Sequence, residues 1–502
     1  MATSLDSAPR SPLLDVRPLP LGPGTLLLAL GVALLVAYLL PASPYVAALP
    51  VALAILLIPL VRLPHLAPAL VLLLVPLVSG MPRGGWVPLL RPNELALAFV
   101  FGAYLLALLL GRKQRIETTF LDRAFLIFLL GRSVLPLVVH PLATVGDPSQ
   151  LVKFFLAPLQ YFLLYRLIQG TAHRRADLML LIRVMLLGGV IVSLVGILQA
   201  ARVPLVEDFL RTHYPSNKPI YTFLHSSRVT SLFAGGWNVC AFYLSQILLV
   251  AIAVHPFERP GLPRALVAGS AVLIALVMGL SFSFATTLTL LLALGYFAVQ
   301  RRRLRSFLLR ALPLVVLFAI VVALFFAGPL RERMGMQFRG TLIPVTLLTR
   351  VAFWAEFAWP AVRDSLLFGI GPSRFDWLTA ESEYVFLVAN CGLVGLAVFF
   401  GFIAYVWRRM RAVIRSLGPL TFEGTLAVLG LALFLQNLVA SLSGHYFEYS
   451  GAAETLWAIW GMVLVGVRLR AERDGSERQR GRRPEAAGPG AADGPASGAP
   501  RV

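Results

Sequence analysis

Along the chain, apolar residues come in long unbroken runs, parted by short segments rich in Arg, Pro and Gly. A run that fills a whole helix with apolar side chains, with no polar face left over, has length and hydropathy suited to a bilayer rather than to water. We read about fourteen such spans, several of them short. The first eight are Leu26–Leu40, Tyr45–Val61, Leu66–Val78, Leu95–Leu110, Phe120–Val139, Leu151–Leu167, Val184–Leu198 and Leu232–Val254. The series continues with Leu266–Leu280, Phe284–Val299, Phe307–Phe326, Tyr384–Val406, Leu426–Leu442 and Ala452–Val467. The first run follows a polar head (1–20) and lacks a small-residue cleavage site, so it is read as a retained helix. The expected fold is an all-α polytopic membrane protein with about 12–14 transmembrane helices.

Composition agrees: 58% of the 502 residues are hydrophobic, 14% are charged, and the mean hydropathy is +0.80. A net charge of +20 invites a nucleic-acid partner. Its distribution argues against one, because the basic clusters (Arg112, Lys113 and Arg115; Arg174 and Arg175; Arg301–Arg303 and Arg305; Arg408, Arg409 and Arg411) fall in every second loop. That is the positive-inside pattern, which places both termini in the cytoplasm. The two cysteines, Cys240 and Cys391, lie in apolar segments and suggest neither disulfides nor a metal site. A tail from about Ala471 is rich in Ala, Gly, Pro and Arg and is expected to be disordered.

Two outward loops are long, Ala201–Ser231 and Gly328–Glu383, and loops of that length in a compact protein carry function more often than not. The second is expected to be partly helical over Arg350–Asp364. Both break the charge rule, with Arg202, Arg211, Lys218 and Arg228 in the smaller and Arg331, Arg333, Arg339, Arg350, Arg363 and Arg374 in the larger. The bland reading is a solvated surface, since long loops are exported despite positive charge. The sharper one is an anion site, because the arginine fork donates two parallel hydrogen bonds and stays charged. Arg132, inside an apolar span, is costly at that depth and is expected to snorkel outward. Lys153, near the outer end of the next span, is placed to reach the same region. Asn238, Asn390, Gln436 and Asn437 are polar residues inside apolar runs.

The stretch AESEYVFLVANCGLVG, 380–395, opens a span with two acids. If the helix begins near Thr379, Glu381 shares a face with Tyr384, Val388, Gly392 and Gly395, and Glu383 points the opposite way. The glycines mark a close helix contact, so Glu381 is expected to be buried and Glu383 to be a plain helix-end acid. In the larger loop, Arg350 shares a helical face with Trp354 and Phe357, as far as Pro360 allows. His445 and Glu448, in SGHYFEYSG, stand in the last outer loop.

The run RVAFWAEFAWPAVRDSLLFGIGPSRF, 350–375, followed by ESEYVFLVANCGLVGL, 381–396, resembles the bacterial O-antigen ligase and Wzy-type polymerase superfamily. The resemblance lies in an Arg-x-x-x-Trp helix, a Leu-Phe-Gly-x-Gly turn containing Gly369 and Gly371, and a polar pair opening a helix with Gly-x-x-Gly. RVTSLFAGGWN at 228–238 and SFSFATT at 281–287 occur in the expected order, and coverage runs from 228 to about 404. The resemblance implies a GT-C-like membrane fold and inverting, metal-independent, cofactor-free transfer of a glycan from undecaprenyl pyrophosphate on the periplasmic face of the inner membrane. It implies partners of the kind such systems use, a chain-length regulator and a flippase. The family's ligases have His–Asn where this chain has Glu381–Ser382, so the resemblance leans towards polymerase, with ligase as the alternative. Matched positions make Arg228 and Arg350 the expected pyrophosphate clamp, assisted by Arg132 and Lys153. Glu381 is the expected general base, supported by Ser382, Tyr384, Trp354, Gly369, Gly371, His445 and Glu448. A transporter or flippase of lipid-linked or anionic solute is the rival from another class. Such proteins carry repeats and midplane groups in broken helices, and neither is legible in the sequence.

Overall fold

In the computed structural model, the residues described are 57, 59–81, 91–109, 118–139, 148–214, 228–233, 236–301, 331, 335, 345–371 and 381–481. The chain divides between Leu63 and Pro64. Of the first unit only residues 57 and 59–63 are described, ending in a helical turn in which the Leu63 N–H donates to the Pro59 carbonyl at 2.7 Å. The expected spans at 26–40 and 307–326, most of 45–61, and the head at 1–20 lie outside the described residues. The second unit, from Pro64 onward, holds the other described residues.

That unit is built from helices: α1 (Leu66–Val78), α2 (Pro92–Leu109), α3 (Phe120–Leu129), α4 (Pro148–Thr171), α5 (Arg175–Ala200), α6 (Pro204–His213) and α7 (Trp237–Val254). There follow α8 (Leu262–Leu280), α9 (Phe284–Gln300), α10 (Val345–Phe353), α11 (Glu383–Leu417), α12 (Phe422–Ala440) and α13 (Ala452–Gly481). Among the described residues there is no strand. Seven helices among the described residues, α2, α5, α7, α8, α11, α12 and α13, are long and apolar enough to cross a membrane. The chain is therefore an all-α polytopic membrane protein, as its hydropathy requires.

The core is aromatic. Phe128, Phe399, Phe402, Phe434, Phe447, Trp457 and Trp460 interlock from α3, α11, α12, α13 and the loop before α13. Most of these ring pairs meet edge to face, the arrangement favoured by the ring quadrupole. Helices close the gaps with small residues, which drive packing where lipid removes the hydrophobic drive between helices. Gly131 packs against the side chain of Val398, and the Gly131 carbonyl faces Gly395.

The two ends of the unit differ in chemistry. At one end, α5 begins with Arg175 over the ring of Phe422, and Arg301 lies over Phe257. Arg468 donates to the last carbonyls of the α4 segment, Gln169 and Ala172, which a helix C-terminus leaves unsatisfied. Arg183 grips Glu258 with two parallel hydrogen bonds of 2.9 and 2.7 Å, and that pairing, a hydrogen bond first, holds the Glu258 carboxyl below its ordinary range. At the other end lie the α1 C-terminus, the turn 281–283, the segment 228–233, the start of α11, and the loop 441–451.

Two expectations change in extent. Helix α11 runs on to Leu417, so Arg408, Arg409 and Arg411 sit on a helix rather than in a loop. Helix α13 continues to Gly481, so the beginning of the tail expected to be disordered is helical; residues 482–502 lie outside the described residues. The expected helix at 350–364 is present, as α10, its continuation to Val362 and a last 3-10 turn.

Candidate functional site

Two proline-associated irregularities shape the site. Helix α3 continues through a π-helical turn, Leu130–Val134, into Leu135–Val139, and α10 continues through another, Trp354–Ala358, into Trp359–Val362. Each turn is followed within two residues by a proline, Pro136 or Pro360, which has no N–H to offer the carbonyl four residues back. For Pro136 that carbonyl belongs to Arg132, and it accepts instead from the Cys391 thiol at 3.6 Å. The wide turns re-aim their side chains, as π-bulges do at many functional sites. One carries Arg132 and the other Trp354.

Arg132 does not snorkel. It is 3% exposed, and its Nη1 donates to Glu383 Oε1 at 2.6 Å while its Nη2 pairs with Glu448. Phe128 and Phe386 cover the guanidinium at 5.8 and 5.4 Å. His445 completes the cluster, its Nδ1 standing 3.4 Å from Glu383 Oε2, edge-on to Phe386. Taking these charges out of water costs several kcal/mol per ion, roughly, and only close pairing offsets it. The outward escape expected of Arg132 fails because two carboxylates from later elements reach it inside the protein.

The phase of α11 is likewise the reverse of the expectation. Glu381 has φ +44°, Ser382 is the extended N-cap residue, and the helix starts at Glu383, not near Thr379. Glu383 is therefore the buried acid, at 0% exposure, and Glu381 is the open one, at 46%. The Glu383 N–H donates to Ser441 and Gly444, the Ser382 hydroxyl to Ser441, and the Tyr384 hydroxyl to Leu438. These contacts sew the start of α11 to the 441–451 loop.

Glu381 is paired across the chain with Arg350, whose Nε donates to its Oε2 at 2.6 Å. The structure thus joins two residues singled out from sequence. The left-handed backbone at Glu381 costs about 1–2 kcal/mol for a residue with a Cβ, and strain of that kind gathers at working sites. Beside the pair, burial pushes the Tyr449 phenol up to about 12 and raises that of Tyr446 too, so both stay protonated donors at neutral pH.

The Leu-Phe-Gly-x-Gly turn has a structural task. Helix α11 is broken at Gly392 (φ +67°, ψ −170°), and the turn wedges into the break. Leu366 and Leu367 accept from the N–H groups of Leu393 and Val394 at 2.9 and 3.1 Å, and Ile370 donates to the Ala389 carbonyl at 2.8 Å. Gly369 (φ +72°) lies so close to the Ala389 carbonyl that a Cβ would sit 2.6 Å from it. Gly371 also has positive φ. The expected close approach at the α11 glycines is present, but the partner at Gly392 is this turn rather than a helix.

Arg228 and Lys153 remain of the expected clamp. Arg228 donates to the carbonyls of Ser281 and Phe282 at 2.9 and 3.1 Å, with Trp237 stacked 3.9 Å away, so it binds one sequence echo to the other. Lys153 lies on α4, but its side chain is outside the described residues. No group of three or more His, Cys, Asp or Glu residues suited to a metal occurs among the described residues. Sequence reasoning missed the role of Glu383; Ser382, a good N-cap residue directly before an apolar run, was the available signal. No family model matches this chain, and neither a curated protein nor a solved structure matches it.

Proposed function

We propose that this chain is a membrane glycosyltransferase that polymerises lipid-pyrophosphate-linked glycan units on the outer face of the membrane. The observation that carries this reading is the Arg350–Glu381 pair, part-exposed, at the start of α11 beside the 441–451 loop. Such a transfer needs a base for the attacking hydroxyl and fixed positive charge for the departing pyrophosphate. Glu381 is the base: it is the open acid, within reach of an incoming sugar. Arg350 holds it until substrate arrives and then turns its fork to the leaving group. Tyr446 and Tyr449 supply neutral phenols nearby, and the motif resemblance over 350–396 supports the substrate class. Arg228 positions the 228–238 segment, and the buried Arg132–Glu383–Glu448–His445 cluster holds the base of the site rigid. Ligation of finished glycan to a lipid A core is the alternative within the same chemistry.

A transport reading has its own support. A helix broken in mid-span beside a buried arginine, two glutamates and a histidine is the kind of arrangement that ion-coupled transporters use. Gel analysis of surface glycans in a deletion strain separates the readings. Single repeat units with loss of polymer support a polymerase, and long lipid-linked polymer supports a ligase. Repeat units trapped on the cytoplasmic side count against both and favour a flippase.

A further inference from the structure

Behind the 441–451 loop is an oxygen-rich cluster that the glycosyl-transfer reading does not use. Four segments meet there: the C-terminus of α1 (Ser79), the N-terminus of α2 (Asn93), the middle of α4 (Gln160), and the start of α13 (Ser450 and Glu454). Asn93, Gln160, Ser450 and Glu454 are all buried, Glu454 to 2%. Glu454 Oε2 accepts from the Gly451 N–H at 2.7 Å, and Oε1 lies 3.1 Å from Ser450 Oγ, which is 3.1 Å from Ser79 Oγ.

Two features do not fit a plain capping network. First, no Lys, Arg or His nitrogen is ion-paired with the Glu454 carboxylate among the described residues, and Arg91 acts on it only at longer range. A buried carboxylate needs compensation for its charge. Second, the Asn93 amide is aimed at three acceptors, Gln160 Oε1, Ser450 Oγ and Glu454 Oε1, at 3.2, 3.0 and 3.4 Å, with only two hydrogens to give. Its own Oδ1, meanwhile, is buried without a partner.

A half-turn of the Asn93 side chain answers the charge and the surplus of acceptors, and places Nδ2 where Oδ1 now lies. It would bring Oδ1 to face the same three oxygens, an arrangement that is repulsive unless a cation sits among them. The spacing suits one: an ion about 2.4 Å from each ligand, with ligands at right angles, separates neighbouring oxygens by about 3.4 Å. One carboxylate among neutral amide and hydroxyl oxygens gives a site of charge minus one, matched by a monovalent ion. We infer that Asn93, Gln160, Ser450 and Glu454, with Ser79 at the edge, form a sodium-binding site that clamps α1, α2, α4 and α13 together. The site stands independently of what the chain does with glycans.

The test uses the full-length protein purified in sodium-free choline chloride buffer. Thermal unfolding is followed as NaCl replaces choline chloride at constant ionic strength, with bound ²²Na⁺ counted in parallel. The expected result is a saturable rise in Tm, about one ion bound per chain, and loss of both in Glu454→Gln. Ser450→Ala, which keeps the carboxylate, shifts the half-saturating sodium concentration upward by about tenfold or more. An unchanged Tm in sodium, an equal response to potassium, a response to micromolar calcium instead, or an unshifted half-point in Ser450→Ala would each overturn the assignment.

Discussion

Replacing Gly392 by alanine adds one methyl group where α11 is broken, and the structure allows its cost to be worked out. At φ +67° and ψ −170° the residue occupies a region that is essentially glycine-only, so a Cβ there costs about 1–3 kcal/mol in backbone strain alone. The Cβ would also fall on the carbonyl group of Leu367 and the amide of Phe368, both backbone, which cannot swing aside as a side chain would. Overlap of that kind adds about 1–3 kcal/mol. The Leu393 and Val394 hydrogen bonds to the 366–367 carbonyls would lengthen as the turn is pushed out, each contributing about 0.5–1.5 kcal/mol. The sum is about 3–9 kcal/mol, which lowers Tm by roughly 3–9 °C for a chain of this size. The control is Gly401→Ala on the same helix, where a Cβ meets nothing within 4 Å and the helix gains about 0.5–1 kcal/mol. Thermal unfolding of both variants, purified side by side, decides the matter. If Gly392→Ala melts no lower than Gly401→Ala, the wedged break does not exist as described.

Arg132→Met strands two buried carboxylates and should destabilise the protein by about 3–5 kcal/mol, whereas Arg132→Met/Glu383→Gln/Glu448→Gln should recover much of the loss. A single variant that melts like the parent would show that the cluster is solvated. For Glu258, the folded-state carboxyl is held below its ordinary 4.5, so its stabilising contribution is present above that pH and is lost as pH falls through the lower folded value. The Tm difference between the parent and Glu258→Gln should accordingly be constant at neutral pH and shrink below about pH 4.5; a difference that persists at lower pH refutes the pairing with Arg183.

Hydropathy made the all-α membrane class legible because a bilayer tolerates only helices whose side chains are apolar over a whole span. Arg350 and Glu381 were each legible as positions in one ordered motif, but the ion pair between them was not. The inversion of Glu381 and Glu383 was not legible, because the helix starts four residues later than read and leaves Glu381 outside it, so the helical wheel that put Glu381 on the glycine face does not reach it. That start is set by the left-handed turn at Glu381 and the extended Ser382, a tertiary effect of sewing Glu383 to the carbonyls of Ser441 and Gly444. Arg132 was recognised as costly, but its partners come from 251 positions later and beyond, and no local pattern announces them. The break at Gly392 was equally silent, since glycine in an apolar run reads first as a packing residue.

The central claim is that Glu381 activates a sugar hydroxyl for transfer from a lipid pyrophosphate. It is tested most directly by reconstituting the purified protein in liposomes with an undecaprenyl-pyrophosphate-linked oligosaccharide and following released undecaprenyl pyrophosphate and glycan length together. The expected result is release coupled one-for-one to elongation, abolished in Glu381→Gln and in Arg350→Ala while both variants keep the parent Tm. Undiminished transfer by Glu381→Gln, or a parent protein that moves solute across the liposome without forming any glycosidic bond, would contradict it.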